Sequence, residues 1–277
     1  FVIINENNLK YVEAFPWAYF RQGASFAVKD SFEALATKSA FMGVYDGNGY
    51  ELRIGEVAFD GSFGGLFGIV LGGSIRDLKI VGIEINHTAS SDTYIGGLVG
   101  IAMALEDGEE VSTVKIENII VSGSIKLNAA GHNAFVGGIS ALLYSATIKD
   151  CISIMNITVN GASEAYVGGV LAWAGDTTSI VNIVSLSKIN VNFSKNGVVG
   201  SAIGLIQGTG VNGQKVYNVE GSTYVNGRLY DAPIGQNQQQ ISEIYKRSYN
   251  DTVSAAGGIV FGQESILDVI SGLYPFA

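Results

Sequence analysis

Few residues in this sequence of 277 have side chains that commonly act as nucleophiles, bases or metal ligands. The single cysteine, Cys151, has no histidine beside it to activate its thiol, so a catalytic cysteine is not indicated. His87 and His132 are far apart and match no spacing typical of zinc ligands. We therefore expect Cys151 to be a buried apolar residue, both histidines to be surface residues in loops, and the protein to use neither a metal ion nor a cofactor.

Carboxylates are the second group that could carry chemistry. Polysaccharide lyases and hydrolases use clustered acidic residues, often beside Arg, Lys or Ca²⁺. Here Asp77 and Asp150 occupy one position of a repeated pattern, but an asparagine copy of that pattern separates them. The acidic run at 106–110 could bind Ca²⁺ weakly, although its spacing is not that of an EF-hand. We expect a structural row of polar residues and a solvated insertion, and an enzyme is the less favoured alternative.

Aromatic residues could bind sugars. Tyr94, Phe135 and Tyr166 fall at one position of the same repeated pattern, so we expect their rings to stack. A stack that faces water can bind the apolar faces of sugar rings, whereas a covered stack only contributes packing energy. Packing is the favoured interpretation, and glycan binding at these three residues stays open as the alternative.

Asparagine sequons are candidates for N-glycosylation. Four of them are present, at Asn86, Asn156, Asn192 and Asn250. This number is close to the one expected by chance, so the sequons alone do not indicate that the protein is glycosylated.

The elements that would position these residues follow from a repeat of about 31 residues. Its anchor is a glycine pair between apolar residues, which decays to a single glycine in the last copy. The glycines are Gly64 and Gly65, Gly96 and Gly97, Gly137 and Gly138, Gly168 and Gly169, and finally Gly200. The first glycines are separated by 32, 41, 31 and 32 residues, and the acidic run accounts for the longer interval. We expect these glycines to form a corner that needs a positive φ or a close backbone approach.

A second signature follows each glycine anchor and consists of an apolar residue, any residue, Asp or Asn, and an apolar residue. The polar position is filled by Asp77, Asn118, Asp150, Asn182 and Asn218. A third stretch, such as Ile83-Glu84-Ile85, alternates with the period of a strand that buries one face. Three short strands in each repeat predict an all-β fold, a parallel β-helix or β-solenoid of about 31-residue coils. Stacked coils would align the Asp and Asn residues as a polar ladder.

These repeats resemble the GLUG motif, which is named for a Gly-Leu-any-Gly core. The segments 65–68 and 97–100 match the core, and the segment 41–50 is similar to the entry segment that precedes such repeats. Ala141 and Ala172 replace the last glycine in later copies, and Ser201 replaces a central one. The resemblance implies an extracellular β-solenoid of the kind found in adhesins, large surface proteins and the stalks of some secreted peptidases. It implies no catalytic residue.

Composition limits the classes of function. Hydrophobic residues make up 47% of the sequence, charged residues 15%, and the net charge is −9. The apolar content excludes a disordered chain, and the negative charge argues against nucleic acid or an anionic membrane as a partner. No apolar run is long enough for a transmembrane helix. We expect three parts, namely an irregular N-terminal flank at 1–25, the solenoid at 26–230, and a C-terminal cap or assembly segment at 231–277.

Both ends of the sequence are apolar, which bears on assembly. The N-terminal run Phe1-Val2-Ile3-Ile4 could add as a strand to a neighbouring subunit, or it could fold back as a cap. End-to-end contacts of this kind generate a homo-oligomer or an open filament. We expect a non-catalytic structural or adhesive protein, secreted or at the cell surface. The alternatives are a glycan-binding surface module and, less favoured, a polysaccharide-active enzyme.

Overall fold

A computed structural model describes residues 1–3, 5–230, 232–236, 241–256, 260–261 and 264–265. Strands account for 62% of the structure and helices for 6%, so the expected all-β class is confirmed. In the described residues no helix is both long and apolar enough to cross a membrane.

The first 60 residues form short strands and one helix. They are β1 (Val2–Ile3), α1 (Glu6–Ala14), β2 (Tyr19–Gln22), β3 (Phe26–Ala27), β4 (Phe32–Glu33), β5 (Val44–Asp46), β6 (Glu51–Arg53) and β7 (Val57–Ala58). The central part contains the longest strands. They are β8 (Phe63–Gly64), β9 (Phe67–Leu71), β10 (Ser74–Thr88), β11 (Thr93–Gly96), β12 (Val99–Met103), β13 (Leu105–Asp107), β14 (Glu110–Ser112), β15 (Val114–Asn128), β16 (Ala134–Gly137), β17 (Ser140–Tyr144), β18 (Ala146–Gly168), β19 (Leu171–Ala174), β20 (Ser179–Ser185), β21 (Lys188–Gly200) and β22 (Ile203–Ile206).

The C-terminal part returns to short elements. They are β23 (Asn212–Val219), β24 (Thr223–Val225), β25 (Arg228–Leu229), β26 (Ile234–Gln236), β27 (Ile244–Arg247), α2 (Tyr249–Ala256), β28 (Val260–Phe261) and β29 (Glu264–Ser265).

Strands of successive repeats pair in parallel. In the larger sheet β10 pairs with β15, β15 with β18, and β18 with both β20 and β21. The second sheet contains six strands in the order β26, β22, β19, β17, β12 and β9. The parallel register places Ile75, Ile116, Ile148 and Ile180 in one row, and all four are fully buried. Residues one repeat apart in the sequence are therefore neighbours in the sheet.

The parallel pairing extends beyond the glycine-containing repeats at both ends. Phe20 in β2 pairs with Tyr45 in β5, which in turn pairs with Ile75. At the other end, β26 pairs with β22 and β27 with β23. The boundaries expected at 25 and 230 therefore do not coincide with a break in the sheets, because repeats that have lost the glycine pair still form ladder hydrogen bonds.

Close backbone approach explains why glycine recurs at the corner of each repeat. Gly96, Gly137, Gly168 and Gly200 lie in register, as expected. A Cβ atom on Gly168 would lie 1.9 Å from the carbonyl oxygen of Leu171, so no larger residue fits. The first copy differs, since Gly64 pairs with the residue before Gly96. Gly64 and Phe67 are three residues apart in the sequence, whereas their partners Ile95 and Val99 are four residues apart.

The polar ladder is present, with one correction. Asp77, Asn118, Asp150 and Asn182 adopt left-handed backbone conformations with φ between 52° and 55°. Asn118 donates to Asp77 over 2.7 Å and Asn182 donates to Asp150 over 2.8 Å, so the side chains pair between rungs. Asp and Asn tolerate this conformation better than other residues with a Cβ.

Asn218 does not belong to the polar ladder. It pairs with Ser185, and the left-handed position of that copy is Lys215, with φ 58°. Val216, and not Val219, consequently stands beside Ile183 in the row of Cys151. The apolar signature recurs three residues too late in this copy, so matching the motif gives the wrong register.

The N-terminal segment folds onto its own chain. Strand β1 pairs in parallel with β2, and Ile3 is fully buried. Helix α1 buries Leu9 and Val12, and Asn5 caps it by accepting a hydrogen bond from the backbone N–H of Asn7. The side chain of Ile3 therefore belongs to the core of its own chain, and the role of the N-terminal run in assembly stays a prediction. Phe1 and Val2 remain exposed, whereas Ile4 and the C-terminal run 266–277 lie outside the described residues.

Candidate functional site

An alternating row of charges lies on the outer face of the larger sheet. The register of β2, β5, β10, β15 and β18 aligns one residue from each strand. These residues are Arg21, Asp46, Arg76, Glu117 and Lys149. Parallel strands lie about 4.8 Å apart, so each charge has neighbours of opposite sign. We call this row the charge ladder.

Asp46 is the most deeply buried member of the charge ladder. Its carboxylate accepts hydrogen bonds from the hydroxyl of Tyr19 over 2.6 Å, from Arg76 over 2.9 Å and from the backbone N–H of Asn48 over 2.8 Å. The Asp46 side chain is 8% exposed, whereas that of Arg76 is 41% exposed. Burial opposes the charge on Arg76, but the hydrogen bond with Tyr19 and the charge of Asp46 raise its pKa overall. Arg76 therefore keeps a fixed positive charge.

Arg21 and Asn48 form the outer part of the same group. Arg21 donates to the side-chain oxygen of Asn48 over 2.6 Å, and the Asn48 amide donates to the backbone oxygen of Gln22 over 3.2 Å. Asn48 lies in the tight turn after β5, with φ 53°. Both side chains are exposed, so their remaining polar atoms face solvent in a fixed arrangement.

Two adjoining clefts border these residues and share Tyr19. The first, of about 420 Å³, is lined by Tyr19, Arg21, Asp46, Asn48, Gly49, Arg76 and Asp77. The second, of about 430 Å³, includes Trp17, Tyr19, Met42, Ser74, Thr113 and Lys115 in its wall. Trp17 is 66% exposed and Tyr19 is 45% exposed. We call the pair of clefts the Tyr19 clefts.

Part of this site has a signal in the sequence. The unrestricted position of the second signature is Arg76, Glu117 and then Lys149, and this alternation identifies the outward row once the strands are aligned. Arg21 and Asp46 have no such signal, because they precede the regular repeats and the sequence does not give their register.

The aromatic stack forms as expected, and it is largely covered. Tyr94 and Phe135 are 4.3 Å apart with ring planes at 5°, and Phe135 and Tyr166 are 4.8 Å apart at 3°. Phe63 packs on the other side of Tyr94, and Trp173 packs against both Phe135 and Tyr166. Burial raises the pKa of the Tyr94 and Tyr166 hydroxyls. The ring faces cover one another, which favours packing over sugar binding at this stack.

Cys151 is placed as expected, and His87 is not. The Cys151 thiol is fully buried, and burial raises its pKa to about 12, so it is a poor nucleophile. His87 lies in β10 and not in a loop, and its ring stacks on Phe59 at 4.3 Å. It is half-buried, its pKa is lowered by burial, and its Nε2 atom has no hydrogen-bond partner among the described residues. His132 occupies a surface turn, as expected. His87 does not, because it lies in a strand and Phe59 covers its ring.

The acidic run forms an antiparallel hairpin of β13 and β14, and its four carboxylates are exposed to solvent. No group of three or more His, Cys, Asp or Glu side chains is arranged to hold a metal ion in the described part of the chain. Among the sequons, the asparagines at 86, 156 and 250 are exposed. Asn192 is half-buried and donates to Asn160 over 3.0 Å.

Comparison with known proteins identifies a similar fold but assigns no activity. No protein-family model matches the chain, and no curated protein matches its sequence. A crystal structure from Bacteroides ovatus, of a protein provisionally named an immunoglobulin A1 protease, is similar with a TM-score of 0.58. The two sequences are 16% identical, and the match covers 93% of this chain and 87% of that one. At this identity the similarity concerns the fold alone.

Proposed function

We propose that the protein is a non-catalytic β-solenoid that serves as a structural and adhesive module at the cell surface. The observation that carries this proposal is the register, in which equivalent residues of successive repeats are ladder neighbours through the larger sheet. Such a stack is a rigid support whose outer rows present side chains at the strand spacing. The resemblance to GLUG repeats supports the surface location.

The potential nucleophiles and bases support a non-catalytic role. The Cys151 thiol is buried, and His87 is covered by Phe59. Asp77 and Asp150 are in the polar ladder, where each accepts a hydrogen bond from an asparagine of the next rung. These groups are engaged in packing or in pairing between rungs, so they stabilise the stack.

The name of the Bacteroides ovatus protein suggests a direct test of the non-catalytic role. Incubation of the purified chain with immunoglobulin A1 should leave the heavy chain intact on a denaturing gel. Heavy-chain fragments that appear with time would show that the chain is catalytic and would overturn the proposal.

Assembly end to end is the second part of the proposed function. Phe1 and Val2 are 54% and 65% exposed at the N-terminal end, although their neighbour Ile3 is buried. The Phe1 ring stacks on Tyr11, Phe15 and Phe20, so the exposed apolar surface is held in place by the chain itself. An ordered apolar end is suited to join the far end of a second copy.

Electron microscopy tests the assembly with a matched pair of variants. Val2→Asp places a charge on the exposed end, whereas Val111→Asp places one on the acidic hairpin at a residue that is 58% exposed. We expect filaments from the natural chain and from Val111→Asp, and single particles from Val2→Asp. Single particles from all three proteins would overturn the assembly proposal.

A further inference from the structure

We propose that the Tyr19 clefts bind a neutral oligosaccharide. This inference rests on the proposed adhesive function and names the class of ligand that the module would hold. It places the binding site at the N-terminal end of the larger sheet, away from the aromatic stack of Tyr94, Phe135 and Tyr166.

An exposed aromatic surface lines the second cleft. Trp17 is 66% exposed and Tyr19 is 45% exposed, and both line the second cleft together with Met42, which is 40% exposed. Pyranose rings have apolar C–H faces that pack on aromatic rings, and a large exposed aromatic side chain in a concave surface commonly marks a binding site. The rings of Phe135 and Tyr166 face one another, whereas Trp17 is largely open to solvent.

A preorganised polar group lines the first cleft. The hydroxyl of Tyr19 is fixed on Asp46, and Arg21 is fixed on Asn48, so neither side chain has to be ordered when a ligand binds. A guanidinium carries five N–H donors, and Asn48 takes one of those of Arg21. Vicinal sugar hydroxyls suit such a pair, because the planar guanidinium of Arg21 donates and the amide of Asn48 both donates and accepts.

The charge and the volume of the clefts limit which ligands fit. Arg21 and Arg76 are balanced in the first cleft by Asp46 and Asp77, so its lining has no net charge, and the second cleft adds a single charge, on Lys115. This balance favours a neutral sugar over a polyanion. The clefts, of about 420 and 430 Å³, lie on either side of Tyr19, and each is within the usual range for a small-molecule site. A monosaccharide would fill only one of the two clefts. The pair of clefts therefore favours an oligosaccharide that extends across Tyr19.

Isothermal titration with defined oligosaccharides tests the proposal. The probes are cellohexaose, xylohexaose and mannohexaose, with a galacturonate hexamer as the anionic comparison. We expect at least one neutral probe to bind, and Trp17→Ala to weaken its affinity about tenfold, because a stacked ring is lost. Arg21→Gln should also weaken it. Tyr230→Ala is the matched control, since Tyr230 is exposed outside both clefts, and it should bind as the natural chain does.

Fluorescence gives a second readout, because the sequence contains only two tryptophans. A bound neutral probe should change the emission of the natural chain, and this change should disappear in Trp17→Ala. Folding of each variant is checked by circular dichroism. Absence of binding by every neutral probe, or binding that Trp17→Ala leaves unchanged, would overturn the proposal.

Chromatography of the same mixtures separates this inference from the proposed function. Shortened oligosaccharides would overturn the non-catalytic role, whatever the affinity. Intact probes without binding would overturn the cleft proposal and leave the structural role standing. Intact, bound probes support both.

Discussion

At the scale of single residues, the fold depends on positions where only one residue type fits. Gly168 is the clearest of them, because an added Cβ would lie 1.9 Å from a carbonyl oxygen that cannot move without breaking the sheet. We expect Gly168→Ala to lower the free energy of unfolding by about 3 kcal/mol, measured by urea denaturation. Gly55→Ala is the control, since its Cβ would meet nothing within 4 Å, and its effect should be within about 0.5 kcal/mol. Equal effects of the two changes would contradict the packing argument.

Cys151 gives a pH-dependent prediction. Its pKa is raised to about 12 in the fold, against about 8.5 in an unfolded chain, so the unfolded state loses its proton first. Stability should therefore be unaffected by this group below about pH 8.5 and should decrease as the pH rises toward 12, by up to about 1.4 kcal/mol per pH unit. Urea titrations of the natural chain and of Cys151→Val, at pH 8 and pH 10.5, should show a steeper loss for the natural chain. An equal loss of stability in the two proteins between pH 8 and pH 10.5 would contradict the predicted effect of the Cys151 thiol.

Much of this residue-scale detail is predictable from the sequence, within limits. The glycine rows, the burial of Cys151 and the stacking of Tyr94 on Phe135 follow from the repeat period alone. The register of the last copy does not, because Lys215 fills the left-handed position that an asparagine fills earlier. The Tyr19 clefts were also beyond prediction, since their side chains come from short strands without a periodic pattern.

At the scale of elements, the acidic hairpin is an addition to a regular repeat. Strands β17 and β18 are joined by Ser145 alone, in a left-handed conformation, whereas β12 and β15 are joined through the hairpin. The two connections start and end at equivalent positions, because β12 pairs with β17 and β15 pairs with β18. The hairpin can therefore be replaced by a single residue that tolerates a positive φ.

This equivalence predicts a tolerated deletion. Removal of residues 105–113 with Ala104→Gly changes the net charge from −9 to −5, because the segment has four acidic and no basic residues. We expect the circular dichroism spectrum to be retained and the free energy of unfolding to change by about 1 kcal/mol or less, since loop length contributes little. The same deletion with Ala104→Pro is the control and should be much less stable, because proline cannot adopt a positive φ. Loss of folding in the glycine variant would show that the hairpin is structural.

At the scale of the whole molecule, the stability of each repeat should depend mainly on its contacts with the two adjacent repeats. Each repeat pairs with the repeats on either side through ladder hydrogen bonds, and in the proposed β-solenoid few contacts would reach beyond the adjacent repeat. Helix α1 covers one end of this stack with Leu9 and Val12. A destabilising substitution at that end should therefore affect the nearest repeats most, and its effect on local stability should decline with distance along the stack.

Hydrogen exchange followed by mass spectrometry can measure this decline. Leu9→Ala removes a fully buried side chain and should cost about 2 to 5 kcal/mol locally. We expect faster exchange in β2 and β5, a smaller effect in β10, and no change in β18, because an opening that starts at the end must cross each repeat in turn. Ile152→Ala is the matched change at a buried residue in the middle of the stack, and it should speed exchange in β15 and β20 on its two sides. Uniformly faster exchange with either variant would mean that the sheets unfold as a single unit, and the β-solenoid proposal would then have to be abandoned.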